Sequence, residues 1–335
     1  MTSIPGIAGL RPYVAAGSLE AARSSSEWLR WFAFIHTIAA SGLLLVLCGW
    51  SMFGAPAALG VGAGAVLIGG ALIGVPHGSS DFLVAHRLFG PMLGHLWLPV
   101  FVLAYLAVVL VMLMAWSFVP FATLLAFLAI SGVHFGMEDL GAYGIPRTPL
   151  RWIVRISTPL LPIVTFHLSE VAPFFATMSA RDAGFVIATL EPYRAPLLAI
   201  WMAATMVTVL LDLWPSAAPR AECYIEGCEL LALTTAAVLL PPLVTFAIYF
   251  CVVHAVRHMA ELTAQFHPRN SGRALSLAAL IIVPSAGICL VGLAASWSAI
   301  AGAVTTNALL CYALQVVAAL TVPHMLLDAL GDRLN

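Results

Sequence analysis

The sequence predicts an all-α fold, a polytopic integral membrane helical bundle with a central metal site. Three observations predict it. Of 335 residues, 62% are hydrophobic and only 9% charged, whereas an ordinary soluble domain carries roughly 25% charge. Apolar runs long enough to cross a bilayer recur along the whole chain. The ionisable residues inside those runs gather at a few places, and nearly all are histidines or carboxylates. A chain with so little charge cannot cover a water-facing surface, so lipid must be the solvent for most of it.

The elements follow in order. Residues 1–30 carry Arg11, Arg23 and Arg30 and read as an N-terminal cytoplasmic or interfacial segment. The apolar run after them is too long for a signal-peptide core, so it reads as a retained first helix. Residues 31–330 read as one transmembrane helical catalytic domain. Within it, spans are predicted near 32–52, 57–75, 96–116, 121–135, 152–167, 197–214, 230–258, 275–297 and 308–327. Pro241-Pro242 sits inside the seventh, which is either one kinked helix or two shorter ones. The total is therefore eight to ten spans. Residues 170–193, with Arg181, Asp182 and Glu191, read as an interfacial helix. Arginines near the N-terminus, at Arg87 and at Arg147, Arg151 and Arg155 alternate as loops would for a cytoplasmic N-terminus.

Composition excludes several functions. All 14 basic residues are arginine. With no lysine, an opsin that holds retinal as a lysine Schiff base is ruled out. A formal charge of -1 offers no basic patch, so nucleic acid is not a partner. Cys223 and Cys228 have no second cysteine pair, which argues against a structural zinc site.

An ionisable side chain in hydrocarbon costs several kcal/mol unless it is paired or metal-bound. Four places concentrate such residues: His77 to Asp81, His134 to Asp139, His254 to Glu261, and His324 to Asp328. His77/Asp81, His134/Glu138 and His324/Asp328 each stand four apart, one helical face. Chance pairing of ten histidines with 15 acids predicts fewer than one such spacing. A carboxylate near a histidine orients the ring and raises its basicity. Sequence does not say whether each acid serves its own histidine or another helix's. His254 and His258 can ligate one ion from one helix face. No glutamate follows His254, so the metalloprotease pattern fails, and the short spacing is wrong for bis-histidine haem. His77 and His134 would complete a four-histidine site, a ligand set that suits iron, copper, zinc or nickel. Asp81, Glu138, Asp139, Glu261 and Asp328 would balance the ion's charge, with Arg257 and His324 in the surrounding pocket. His36, His95 and His167 read as hydrogen-bonded helix residues, and His86 and His267 as loop residues. The same residues would also suit a transporter that moves protons or a divalent metal, or a histidine-cluster desaturase, although only one His-x-x-x-His box is present.

In four motifs the sequence resembles the bacterial and archaeal Brp/Blh family of β-carotene 15,15′-dioxygenases. They are Pro76-His77-Gly78 with Asp81, His134-Phe135-Gly136 with Asp139, His254-x-x-Arg257-His258, and Pro323-His324-Met325-Leu326-Leu327-Asp328. The resemblance implies an enzyme of the prokaryotic cytoplasmic membrane. It would cleave the central double bond of β-carotene with O2 into two retinal molecules, often for a microbial rhodopsin. It also implies Fe(II) held by His77, His134, His254 and His258, with His324 and the carboxylates around them. Carotenoids dissolve in the lipid bilayer, so such a site is expected to open sideways into it. Which double bond reacts would then be set by how the substrate is held.

Overall fold

The computed structural model describes residues 17–53, 78–142, 148–214, 221–267, 270, 272–281, 283 and 306–334. All regular structure among these residues is helical. The span predicted at 57–75 and most of that at 275–297 lie outside the described residues, as does His77.

α1 (Gly17–Phe53) is one uninterrupted helix that passes through residue 30 and then crosses as the span Trp28–Phe53. A 3₁₀ turn at Gly78–Ser80 opens α2 (Asp81–Leu93), and a second turn at Gly94–Leu96 leads to α3 (Trp97–Phe118). Gly94 makes that second turn with φ 54°, a left-handed angle that glycine adopts without Cβ strain. Arg87 and His86 lie on a helix and not in a loop. His86 packs its ring against Trp97, 4.9 Å between centroids. On α3, Leu103, Leu106, Leu110 and Val111 are exposed, as a lipid-facing helix requires.

α4 (Pro120–Ala142) follows after a single residue. The predicted 152–167 span does not form. In its place are α5 (Pro149–Ser157), α6 (Leu161–Phe166) and α7 (Leu168–Met178). Pro159 and Pro162 cause the break, because each removes a backbone donor and clashes with the preceding turn. α8 (Ala183–Leu213) starts at Asp182, whose Oδ1 accepts the Phe185 amide at 2.8 Å. It takes in residues 183–193, which the sequence placed in an interfacial helix, and Pro192 and Pro196 lie inside it.

The double proline separates two helices. α9 (Ala221–Leu239) ends before it and α10 (Pro242–Ile248) begins at Pro242. α10 runs through a π-helical segment (Tyr249–His254) into α11 (Ala255–Phe266), together the span Pro242–Phe266. A short apolar helix α12 (Gly272–Ile281) and the long α13 (Thr306–Leu334), with Pro323 inside, complete the described chain. Five helical stretches among the described residues are long and apolar enough to cross a membrane.

Two packing centres hold this together. α1 lays Ala40, Leu44 and Cys48 against Ala232, Leu233 and Ala236 of α9, with Phe135, Tyr249 and Val253 closing the cluster. On the far side Trp116, Leu124, Val171, Phe175, Val186 and Ala318 join α3, α4, α7, α8 and α13. Small residues bring α4 and α5 into near contact. A Cβ on Gly132 would stand 2.5 Å from the Ile156 carbonyl oxygen, and one on Gly136 would stand 2.5 Å from the Ile156 nitrogen. Such glycine-lined approaches are common between membrane helices.

Candidate metal centre

Three of the four predicted places converge from α4, the π segment with α11, and α13. The fourth, at the start of α2, contributes Asp81. The rings of His134, His254, His258 and His324 form a closed circuit. Centroids are 5.2 Å apart for His134–His254, 6.1 Å for His254–His258, 5.3 Å for His258–His324 and 5.4 Å for His134–His324. All four are buried. The π-helical segment ends at His254. A π bulge inserts one extra residue, so it shifts the phase between the residues before it and those after it. Here it lets Tyr249 and His254 serve different neighbours from one short stretch.

Two carboxylates orient the rings. His324 donates from Nδ1 to Asp81 Oδ1 at 2.6 Å, and His258 donates from Nδ1 to Glu138 Oε2 at 3.2 Å. A ring that gives its Nδ1 proton to a carboxylate keeps a lone pair on Nε2, the atom a metal needs. His324 Nε2 lies 3.2 Å from Asp328 Oδ2, and His258 Nε2 lies 4.0 Å from the same oxygen. Of the two histidine–acid pairs spaced by four whose members are both among the described residues, His324/Asp328 meet on their own helix and His134/Glu138 do not. Glu138 and Asp81 instead cross to histidines of other helices.

The donors fit a cation. His134 Nε2 is buried without a hydrogen bond. Ligand atoms of His134, His324 and Asp328 lie within 4.8 Å of one another, as do those of Glu138, His258 and Asp328. Among the described residues, none of Asp81, Glu138, Glu261 and Asp328 forms an ion pair with an arginine. A divalent ion is the charge such a group of acids can pair with. Aromatic rings shield the other side. Phe135 stands 4.7 Å from the His254 ring, and Phe250 stacks on it at 6.1 Å.

Asp139 and Arg257, expected around the metal site, face away from the imidazoles into a second buried cluster. Asp139 accepts from Arg257 Nη1 at 2.9 Å and from the Tyr249 hydroxyl at 2.9 Å. Arg257 also reaches Glu229 at 3.0 Å. Arg155 donates to Glu226 at 3.1 Å and lies 3.6 Å from Glu229 and 4.0 Å from Asp139. Arg151 pairs with Asp212 and lies 3.8 Å from Glu226. Sequence reasoning missed this network. From sequence Arg151 and Arg155 read as loop charges and Arg257 as a pocket residue, whereas Arg155 is buried on α5. The available signal was the three-residue spacing of Glu226 and Glu229 on a largely apolar helix.

The remaining histidines are accounted for locally. His36 donates from Nε2 to the Val252 carbonyl at 2.7 Å, bracing α1 against the π segment. His167 bridges Glu170 and the Ala237 carbonyl, 2.9 Å to each. His95 lies exposed in the turn before α3.

Fold and site together define a class: an all-helical membrane protein with a histidine–carboxylate centre enclosed by its helices. Residues 68–331 match the family described as Beta-carotene 15,15'-dioxygenase, and the chain belongs to that family. It is similar to the Beta-carotene 15,15'-dioxygenase of an uncultured marine bacterium, 29% identical over 260 residues, covering 76% of this chain and 88% of the relative. It is also similar to the Probable beta-carotene 15,15'-dioxygenase Blh of Halobacterium salinarum, 29% identical over 336 residues, covering 90% of this chain and 94% of the relative. No solved structure matches.

Proposed function

We propose that this protein is a non-haem Fe(II) oxygenase that cleaves the central 15,15′ double bond of β-carotene with O2, giving two molecules of all-trans-retinal. The observation that carries the reading is the closed circuit of buried imidazoles, set among carboxylates that no described arginine neutralises. His134, His254 and His258 are assigned as iron ligands together with His77, which lies outside the described residues. His324 is the ring that Asp81 and Asp328 fix against them. Bound Fe(II) supplies the electrons that activate O2 towards an alkene.

The residues of the chain prepare that chemistry. Asp81 and Glu138 set the rings of His324 and His258, so that neither tautomer nor orientation has to change during turnover. Phe135 and Phe250 keep water from the His254 side. Adding O2 across a C=C bond and breaking it into two C=O groups moves no proton, so no side chain has to act as general acid or base. The reacting bond is then selected by how the polyene is held in an apolar passage open to lipid. The retinal leaves into the bilayer of a prokaryotic cell membrane, where a retinal-binding protein such as a microbial rhodopsin can take it up.

Expression in cells that accumulate β-carotene, with chromatography of the pigments, tests the reading. Wild-type protein is expected to replace β-carotene with retinal, and His258→Ala to leave the β-carotene intact. Folded, iron-loaded wild-type protein that leaves β-carotene untouched would overturn the reading.

A further inference from the structure

A small cleft opens between α2, α4, α11 and α13 and ends at the imidazole circuit. Arg87 and Gln265 are exposed at its mouth and joined by a hydrogen bond of 3.0 Å. Glu261 is half-buried on its wall. Further in, side-chain exposure falls from 16% at Glu138 to 8% at Asp328 and 7% at His258. The cleft holds about 80 Å³. That is well below the roughly 300–1,000 Å³ of a pocket for a drug-sized molecule, so it does not take a carotenoid. It has room for a few waters or a partly hydrated ion. O2 and the polyene both partition into lipid and need no polar route.

Asp328 gives the cleft its direction. As a residue it is 9% exposed, and its Oδ2 makes no hydrogen bond. It belongs to both close ligand groups, Glu138–His258–Asp328 on the cleft side and His134–His324–Asp328 on the inner side. We propose that this carboxylate-lined cleft is the route by which a divalent cation reaches the buried centre from water, with Glu261 and Glu138 attracting it and Asp328 passing it to the imidazoles. The proposal rests on the metal reading above. Three carboxylates draw the ion inward, whereas the Arg87 guanidinium at the mouth opposes it. Ion capture through such a focused field is fast and weakens with salt.

The test uses full-length protein, purified in detergent, stripped with a chelator and mixed rapidly with Co(II), whose visible absorbance reports imidazole ligation. Glu261→Gln is expected to slow loading about 5-fold. Arg87→Gln, a surface change, is expected to speed it about 3-fold. Arg87→Gln should finish with the wild-type metal content, and both differences should shrink in high salt. Opposite changes from two neutralising substitutions are not what general damage to the fold produces. Loading of both variants at the wild-type rate, or rates indifferent to salt, would overturn the route while leaving the metal centre standing. A wild-type protein that takes up no Co(II) would overturn both.

Discussion

Gly136→Ala is the sharpest perturbation the structure offers, because a single methyl group meets backbone. The added Cβ would lie 2.5 Å from the Ile156 nitrogen and 2.6 Å from its Cα and Cγ2. Carbon contacts settle near 3.5 Å or more, so α5 has to retreat from α4 by about 1 Å. Overpacking of this kind costs about 1–3 kcal/mol. The retreat also carries Arg155 away from Asp139 and Glu229, now 4.0 and 3.6 Å distant. Breaking a buried ion pair completely costs about 3–5 kcal/mol, so a partial break adds a fraction of that. A total of about 3 kcal/mol would lower the melting midpoint by roughly 4 °C in a chain of this size. Circular dichroism melts in detergent measure it, with Gly42→Ala on α1 as the control. At Gly42 an added Cβ meets nothing within 4 Å, and alanine favours the helix by up to about 1 kcal/mol. Iron content should fall alongside stability, since Gly136 lies between His134 and Glu138. A Gly136→Ala protein that melts with Gly42→Ala and keeps full iron would refute the close-contact account.

Other outcomes follow from the same geometry. Asp81→Ala releases the Nδ1 of His324 and is expected to weaken metal affinity about 10–100-fold, measurable by chelator competition; unchanged affinity would detach Asp81 from the centre. Arg155→Met takes from Glu226 its nearest cation, leaving Arg151 at 3.8 Å, and should cost up to about 3–5 kcal/mol, with Glu226→Gln added to it restoring part of the loss in the same melts. Chelation should abolish retinal formation by the purified protein and Fe(II) should restore it; full turnover after complete iron removal would refute the iron assignment.

What the sequence made legible was whatever depends on composition and local spacing. The all-helical membrane class follows from apolar runs that no soluble surface could tolerate. The histidine motifs announced themselves because each is costly in lipid and each stands a helical turn from an acid. Pairing across helices was not legible. Glu138 shares a face with His134 yet bonds His258, and Asp81, four residues after His77 in the sequence, bonds His324. Those choices are made by how α4, α11 and α13 converge, a property of tertiary packing that no local spacing encodes. Arg155 failed for the opposite reason. Alone in the sequence it looks like a loop charge, and acids from α9 and α4 make its burial tolerable.

The two buried clusters are linked through adjacent residues. Glu138 holds His258, while Asp139, the next residue, holds Arg257 and Tyr249. Arg257 holds Glu229, while His258, the next residue, stands in the imidazole circuit. On a helix neighbouring side chains diverge by about 100°, so α4 and α11 each present one member to the histidine–carboxylate cluster and the other to the arginine network. The ionic contacts between Asp139 and Arg257 therefore fix the rotation of both helices about their axes. That rotation sets whether Glu138 and His258 meet. A metal centre with ligands from several helices needs them held to within about 0.5 Å. Dispersion packing in a bilayer is weakly directional, whereas a buried ion pair with defined donors is not. The arginine network thus serves the proposed centre by fixing angles, even though none of its described contacts reaches an imidazole of the circuit.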